Sequence, residues 1–153
     1  MAFEKILVRA MHGIHLFRNP MTLGVRAAAF DEAGRIFLVR HTYVSGWHMP
    51  GGGVDPGETA EEGVVRELKE EGNLTVTGTL SLKAVYFNKN ASNRDHVLFF
   101  HCDGVQQSEP KRPDTEIAES GFYALDDLPD DTTPATRRRL AELAGRSAFD
   151  AYW

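Results

Sequence analysis

The sequence predicts an α/β domain in which a mixed sheet is covered by helices, with one further helix ahead of it. Three observations predict this. The 153 residues suit one domain, and 42% hydrophobic with 25% charged residues is a globular composition. The apolar pattern switches period in the order helix, strands, loop, helix, strands, helix. No internal repeat or composition break divides the chain, so 1–153 reads as a single domain, with an amphipathic helix at 1–19 and a core at 20–145.

Each element has a local reason. Phe3, Ile6, Leu7, Ala10, Ile14 and Phe17 fall within one helical arc of about 100°, opposite Lys5, Arg9, His12 and His15. Such a helix should dock on the domain or on a second copy, which makes a homodimer one expected state. An organelle-targeting peptide is the alternative; Pro20, leading straight into strand-like sequence, speaks against it. Leu23, Val25, Ala27 and Ala29 alternate along a strand from Thr22 to Phe30. The turn Asp31-Glu-Ala-Gly34 and the apolar run Ile36 to Arg40 then predict a hairpin over 22–40. Residues 45–57 hold five of the fourteen glycines and two of the seven prolines, the mark of a long functional loop. Thr59 offers an N-cap, and Glu61 and Glu62 suit the positive end of a helix running to Gly72. Thr75 to Asn88 and His96 to Cys102 read as antiparallel strands across a polar loop, 104–115 as a second long loop, and Glu116 to Ala124 as a strand. Thr133, Pro134 and Gly145 mark the cap, first turn and end of a last helix.

Composition narrows the function. A net charge of −5 argues against nucleic acid as the main partner. No apolar run approaches the roughly 20 residues of a membrane span. The N-terminus shows no secretory pattern, its apolar residues being spread with no small-residue cleavage site behind them. Lone Cys102 excludes an internal disulfide framework and a zinc ribbon. It reads as a buried thiol in a reducing compartment, so a cytoplasmic location is expected.

The informative stretch is Gly51-Gly-Gly-Val-Asp-Pro-Gly-Glu58 followed by Arg66-Glu-Leu-Lys-Glu-Glu71. From Gly52 there are five residues, Glu58, seven residues, Arg66-Glu67-Leu68, one residue, Glu70-Glu71, then Asn73-Leu74. This resembles the Nudix hydrolase box, with Asn73 where the family has glycine. Asn also tolerates the left-handed conformation that ends a helix. Chance would produce such a match in a chain this long on the order of once in 10⁵. Trp47-His-Met-Pro50 and residues 116–129 also look like the family's flanking patterns. The resemblance implies an α/β/α sandwich and spans about residues 22–145.

The chemistry is readable from the residues themselves. Glu67, Glu70 and Glu71 stand at i, i+3 and i+4, so they share one helical face. Crowded carboxylates repel unless a cation sits among them, and an all-oxygen set suits Mg²⁺ or Mn²⁺. A solvated acidic face paired with Arg66 and Lys69 is the plain alternative. Val64, Val65 and Leu68 should point to the core and Lys69 away. Gly63 falls on the carboxylate side, as a packing defect or as room for a loop, metal or phosphate.

The resemblance adds roles. It implies metal coordination by the Gly51 backbone carbonyl with Glu67, Glu70 and Glu71, and support from Gly52, Glu58 and Arg66. It implies hydrolysis of a nucleoside diphosphate linked to another group, by in-line attack of water on phosphorus. The proton acceptor could be Glu67 or Glu70, or on a loop Glu116, with Glu109 in reserve. A nucleotide-sensing module without turnover is the rival, though this chain keeps all four box glutamates. An isomerase on the same scaffold would need an added acid or a nucleophilic thiol, which Cys102 in an apolar strand does not supply. Trp47, Tyr86, Phe87 and Phe122 could stack on a base. Arg40, Lys83, Lys89 and Arg94 could meet phosphates, while His41, His48, His96 and His101 read mostly as structural or surface residues. Nothing separates a nucleoside triphosphate from a nucleotide sugar, ADP-ribose, a dinucleoside polyphosphate or a capped RNA.

Overall fold

A computed structural model describes residues 2–153, with side chains from residue 5 onward. The elements run α1 (Ala2–Arg18), β1 (Thr22–Ala29), β2 (Ile36–His41), α2 (Ala60–Gly72), β3 (Leu74–Val76), β4 (Leu80–Phe87), β5 (Asp95–Cys102), β6 (Val105–Gln107), β7 (Ile117–Tyr123) and α3 (Pro134–Leu143). A three-stranded mixed sheet has the order β1-β5-β4, with β1 parallel to β5 and β4 antiparallel to it. Two antiparallel pairs, β2 with β7 and β3 with β6, complete the strands.

Alternation within the central strands builds two cores. Val25, Ala27 and Ala29 of β1, Phe37 and Val39 of β2, and Phe100 and Cys102 of β5 pack with Val64 and Leu68 of α2. The intervening Ala28, Ile36, Leu38 and Phe99 pack the other way, with Tyr86, Trp47 and Leu140 of α3. One helix therefore covers each face, and strands buried on both sides read as continuous apolar runs. The expected α/β/α sandwich with a mixed sheet is the observed one.

Several expectations need correction. Residues 22–40 are not a hairpin. The chain turns tightly at Asp31–Arg35, but beyond the bridge between Phe30 and Ile36 the two strands diverge, β1 to β5 and β2 to β7. Thr75 to Asn88 is broken at 77–79, and the loop 104–115 begins with a short strand, β6. Val65 is half-exposed instead of buried. The largest difference concerns α1. Its apolar arc exists, yet Ile6, Leu7, Ile14 and Phe17 are all exposed, Phe17 at 89%. α2 and α3 already cover the two core faces. Phe3 lies outside the described side chains. No helix among the described residues is long and apolar enough to cross a membrane.

A second buried feature anchors α3. Arg139 and Glu142 form a fully buried ion pair at 2.7 Å, and Glu142 also accepts from Tyr86 Oη at 2.6 Å. Arg139 lies over the Tyr86 ring at 4.0 Å and donates to the Tyr152 carbonyl, tying down the last residues.

Candidate active site

The site is organised by α2. Thr59 and Glu62 form a reciprocal capping box, which fixes where the helix starts. At the other end Gly72 packs so tightly on Phe37 that a Cβ would meet the ring at 2.7 Å. Asn73 then takes the left-handed conformation at φ 53°. The two residues divide between them the packing and the turn, so the departure from the box leaves the glutamates in place.

The loop before α2 is pinned to β1. The Ala27 and Val25 amides donate to the Pro50 and Gly52 carbonyls, and Val54 donates to the Leu23 carbonyl. This draws the loop backbone over the helix face. Gly51 has φ 147°, and a Cβ there would collide with the Val25 carbonyl; a Cβ on Gly52 would fall on the Glu67 carboxylate. These glycines are therefore demanded by close approach. The Gly51 amide donates to Glu71 Oε2 at 2.9 Å. The Gly53 carbonyl accepts from Arg66, whereas the Gly51 carbonyl accepts none of the hydrogen bonds found among the described residues.

Arg66 is the hub of the outer half. It holds Glu58 through two bonds of 3.1 and 2.7 Å, Glu67 at 2.7 Å and Glu70 at 3.3 Å. The Arg66 guanidinium lowers the Glu58 carboxyl below its usual range, and Arg66 itself is held more firmly protonated by Glu58 and Glu67. Burial raises the Glu67 carboxyl despite Arg66 beside it. Gly63 is filled from this side too: a Cβ would come within 3.1 Å of Glu58 Oε1. The space beside it is taken by that loop carboxylate.

In the inner half, Glu71 and Glu116 are expected site residues, and His41, read from sequence as structural or surface, is the addition. His41, Glu71 and Glu116 bring potential ligand atoms within 4.8 Å of one another. They come from the end of β2, the last turn of α2 and the residue before β7. A bulge in the β2–β7 pairing sets Arg40 opposite Glu119 but His41 opposite Ile117, which brings Glu116 alongside. His41 and Glu71 are both buried, with Nε2 and Oε1 3.7 Å apart, too far for a hydrogen bond. Both ring nitrogens of His41 and Oε1 of Glu71 lack a hydrogen-bond partner. Leaving such groups unpaired typically costs about 1–3 kcal/mol each. Burial pushes the Glu71 carboxyl up to about 7 and the His41 imidazole down to about 4. Both groups are thus biased towards neutrality, and a divalent cation between them would partner Glu71 Oε1 and the Nε2 of His41 that faces it. The donor set fits such an ion.

Of the glutamates expected to share a face, Glu67 and Glu71 are buried and Glu70 is exposed beside an open cleft of about 1310 Å³. Glu116, Lys69 and Lys111 also line that cleft, and Glu109 is not among its lining residues. Tyr43 reaches Glu116 at 3.5 Å. Trp47 and Tyr86 are buried in the α3-side core, so neither offers a free stacking face, whereas Phe122 is partly buried and packs edge-on against Phe37. Cys102 is buried, as expected.

The NUDIX domain profile matches residues 20–143. The chain is 38% identical over 123 residues to a putative 8-oxo-dGTP diphosphatase of Bacillus subtilis, covering 80% of this chain and 79% of the relative. It is 42% identical over 104 residues to an ADP-ribose pyrophosphatase of Methanocaldococcus jannaschii, covering 65% of this chain and 60% of the relative. Among solved structures, a MutT NUDIX hydrolase from Burkholderia pseudomallei superposes with a TM-score of 0.68 at 30% identity, over 80% of this chain and 97% of its own.

Proposed function

The chain belongs to the NUDIX family, and on that premise we propose that it is a metal-dependent pyrophosphohydrolase. Its substrate is a nucleoside diphosphate linked to another group, cleaved by in-line attack of water on phosphorus. The observation that carries this reading is the cluster of buried Glu67 and Glu71 with exposed Glu70 and Glu116 around an open cleft. The relatives' names, diphosphatase and pyrophosphatase, support a phosphoric anhydride as the bond broken.

Glu67, Glu70 and Glu71, with the Gly51 carbonyl, would hold Mg²⁺ or Mn²⁺. Such an ion, when bound, neutralises phosphate charge and makes water easier to deprotonate. The chain's own residues do the rest. Arg66 and Glu58 fix Glu67 in its rotamer and tie the helix to the loop through the Gly53 carbonyl. Glu71 is oriented by the Gly51 amide. Glu70 and Glu116 line the cleft within reach of solvent, and a carboxylate oxygen of one of them that is not bound to the ion accepts the proton of the attacking water. Glu67, buried and held by Arg66, is better placed as a ligand than as that base.

The test is Glu71→Gln and Glu70→Gln, each compared with the parent at saturating Mg²⁺. Loss of one well-placed electrostatic stabiliser should lower kcat by roughly 10²–10³. Metal-free melting temperatures should not fall. Near-normal turnover in both variants would remove these carboxylates from the mechanism.

A further inference from the structure

We propose that His41 is a metal ligand, so that this site takes a transition-metal dication such as Mn²⁺ in preference to Mg²⁺. The inference rests on the proposed hydrolase only in requiring that a divalent cation bind here; it does not require turnover.

His41 is 5% exposed, and neither ring nitrogen has a hydrogen-bond partner. A histidine kept in a core for structural reasons would have bonded at least one of them. Its Nε2 instead stands 3.7 Å from Glu71 Oε1, itself unpartnered. Two ligands on one cation with bonds of about 2.1 Å stand roughly 3–4.2 Å apart. That spacing is too long for a hydrogen bond and right for a shared ion. Glu116 supplies the third donor, with all three ligand atoms inside 4.8 Å. The β2–β7 bulge is the device that sets the histidine beside that glutamate.

The chemical consequence follows from the nitrogen. Carboxylates alone suit Mg²⁺ as well as Mn²⁺. An imidazole adds affinity for first-row transition ions, whereas Mg²⁺ keeps to oxygen and holds its water tightly.

The experiment uses the full chain without nucleotide. Mn²⁺ is titrated and its electron spin-echo envelope examined for modulation from a directly bound ¹⁴N. Calorimetric Kd values are taken for Mn²⁺ and Mg²⁺ with the parent, His41→Gln and His48→Gln. We expect ¹⁴N modulation in the parent and in His48→Gln, and its loss in His41→Gln. His41→Gln should weaken Mn²⁺ binding at least tenfold and Mg²⁺ binding less than threefold. Bound Mn²⁺ without ¹⁴N modulation in the parent overturns the inference while leaving a carboxylate metal site intact; that result needs no variant, so misfolding of His41→Gln cannot obscure it. Equal weakening of both ions also overturns it. Absence of Mn²⁺ binding would overturn both the inference and the metal-dependent reading.

Discussion

A carboxyl that resists ionisation makes the metal-free protein sensitive to pH. Glu71 holds its proton in the fold up to about pH 7, against 4.5 when unfolded, because burial outweighs the help of the Gly51 amide and Arg26. Between those values the folded chain binds more protons, so stability falls as pH rises through the window. His41 acts oppositely: burial holds its pKa near 4 against 6.5, so stability falls as pH drops below 6.5. Above pH 7 only the Glu71 penalty remains. Glu71→Gln should therefore raise the metal-free melting temperature most above pH 7 and hardly at all near pH 4.5; a pH-independent difference would contradict this. Gly63→Ala is the second residue-scale case. Helix propensity alone promises about 1 kcal/mol of stabilisation. The new Cβ would press on Glu58, which Arg66 holds fast, so no rise in melting temperature is expected, and a clear rise would show that Glu58 yields freely. Box spacing made Glu58, Arg66 and the three helix glutamates legible in the sequence. His41 was not legible, since a single histidine at a strand end has no spacing signal and its partners arrive from two distant segments.

At the scale of elements, local pattern foretold which segments fold and missed which ones pair. The alternation of residues 22–40 and their tight turn are real, yet neither says whose edge each strand will meet. The apolar arc of α1 likewise says that a helix wants a partner without naming one. Since the described side chains of α1 are exposed, deletion of residues 1–18 should leave the melting temperature of the rest unchanged. A fall of several degrees, measured at a concentration where the parent is monomeric, would mean that α1 packs on its own domain. Oligomeric mass before and after deletion tests whether that face joins two copies. The Arg139–Glu142 pair gives the opposite expectation. Glu142→Ala leaves a buried guanidinium unpaired and frees Tyr86 Oη, so it should cost about 3–5 kcal/mol in denaturant unfolding. A loss under about 1 kcal/mol would show that water reaches Arg139 and replaces the carboxylate.

For the whole molecule, two cores share one set of strands, and the site lies on only one side. α3 and its buried ion pair support the far face, while α2, the glycine loop and the β2–β7 bulge converge near the cleft. That separation lets stability variants in α3 be read apart from site variants in α2. The activity proposed for that site is hydrolysis of a phosphoric anhydride, beyond binding one. The most direct measurement is product analysis on a panel of nucleoside diphosphate derivatives that includes 8-oxo-dGTP, ADP-ribose and a dinucleoside polyphosphate. Each is incubated with Mn²⁺, with Mg²⁺ and in excess chelator. Conversion of at least one to a nucleoside monophosphate and its complementary phosphate product is expected with metal, and none in chelator, where the fold remains intact. Saturable binding with no cleavage of any panel member in either metal would contradict it and make the protein a nucleotide-binding module; full turnover in chelator would contradict its metal chemistry.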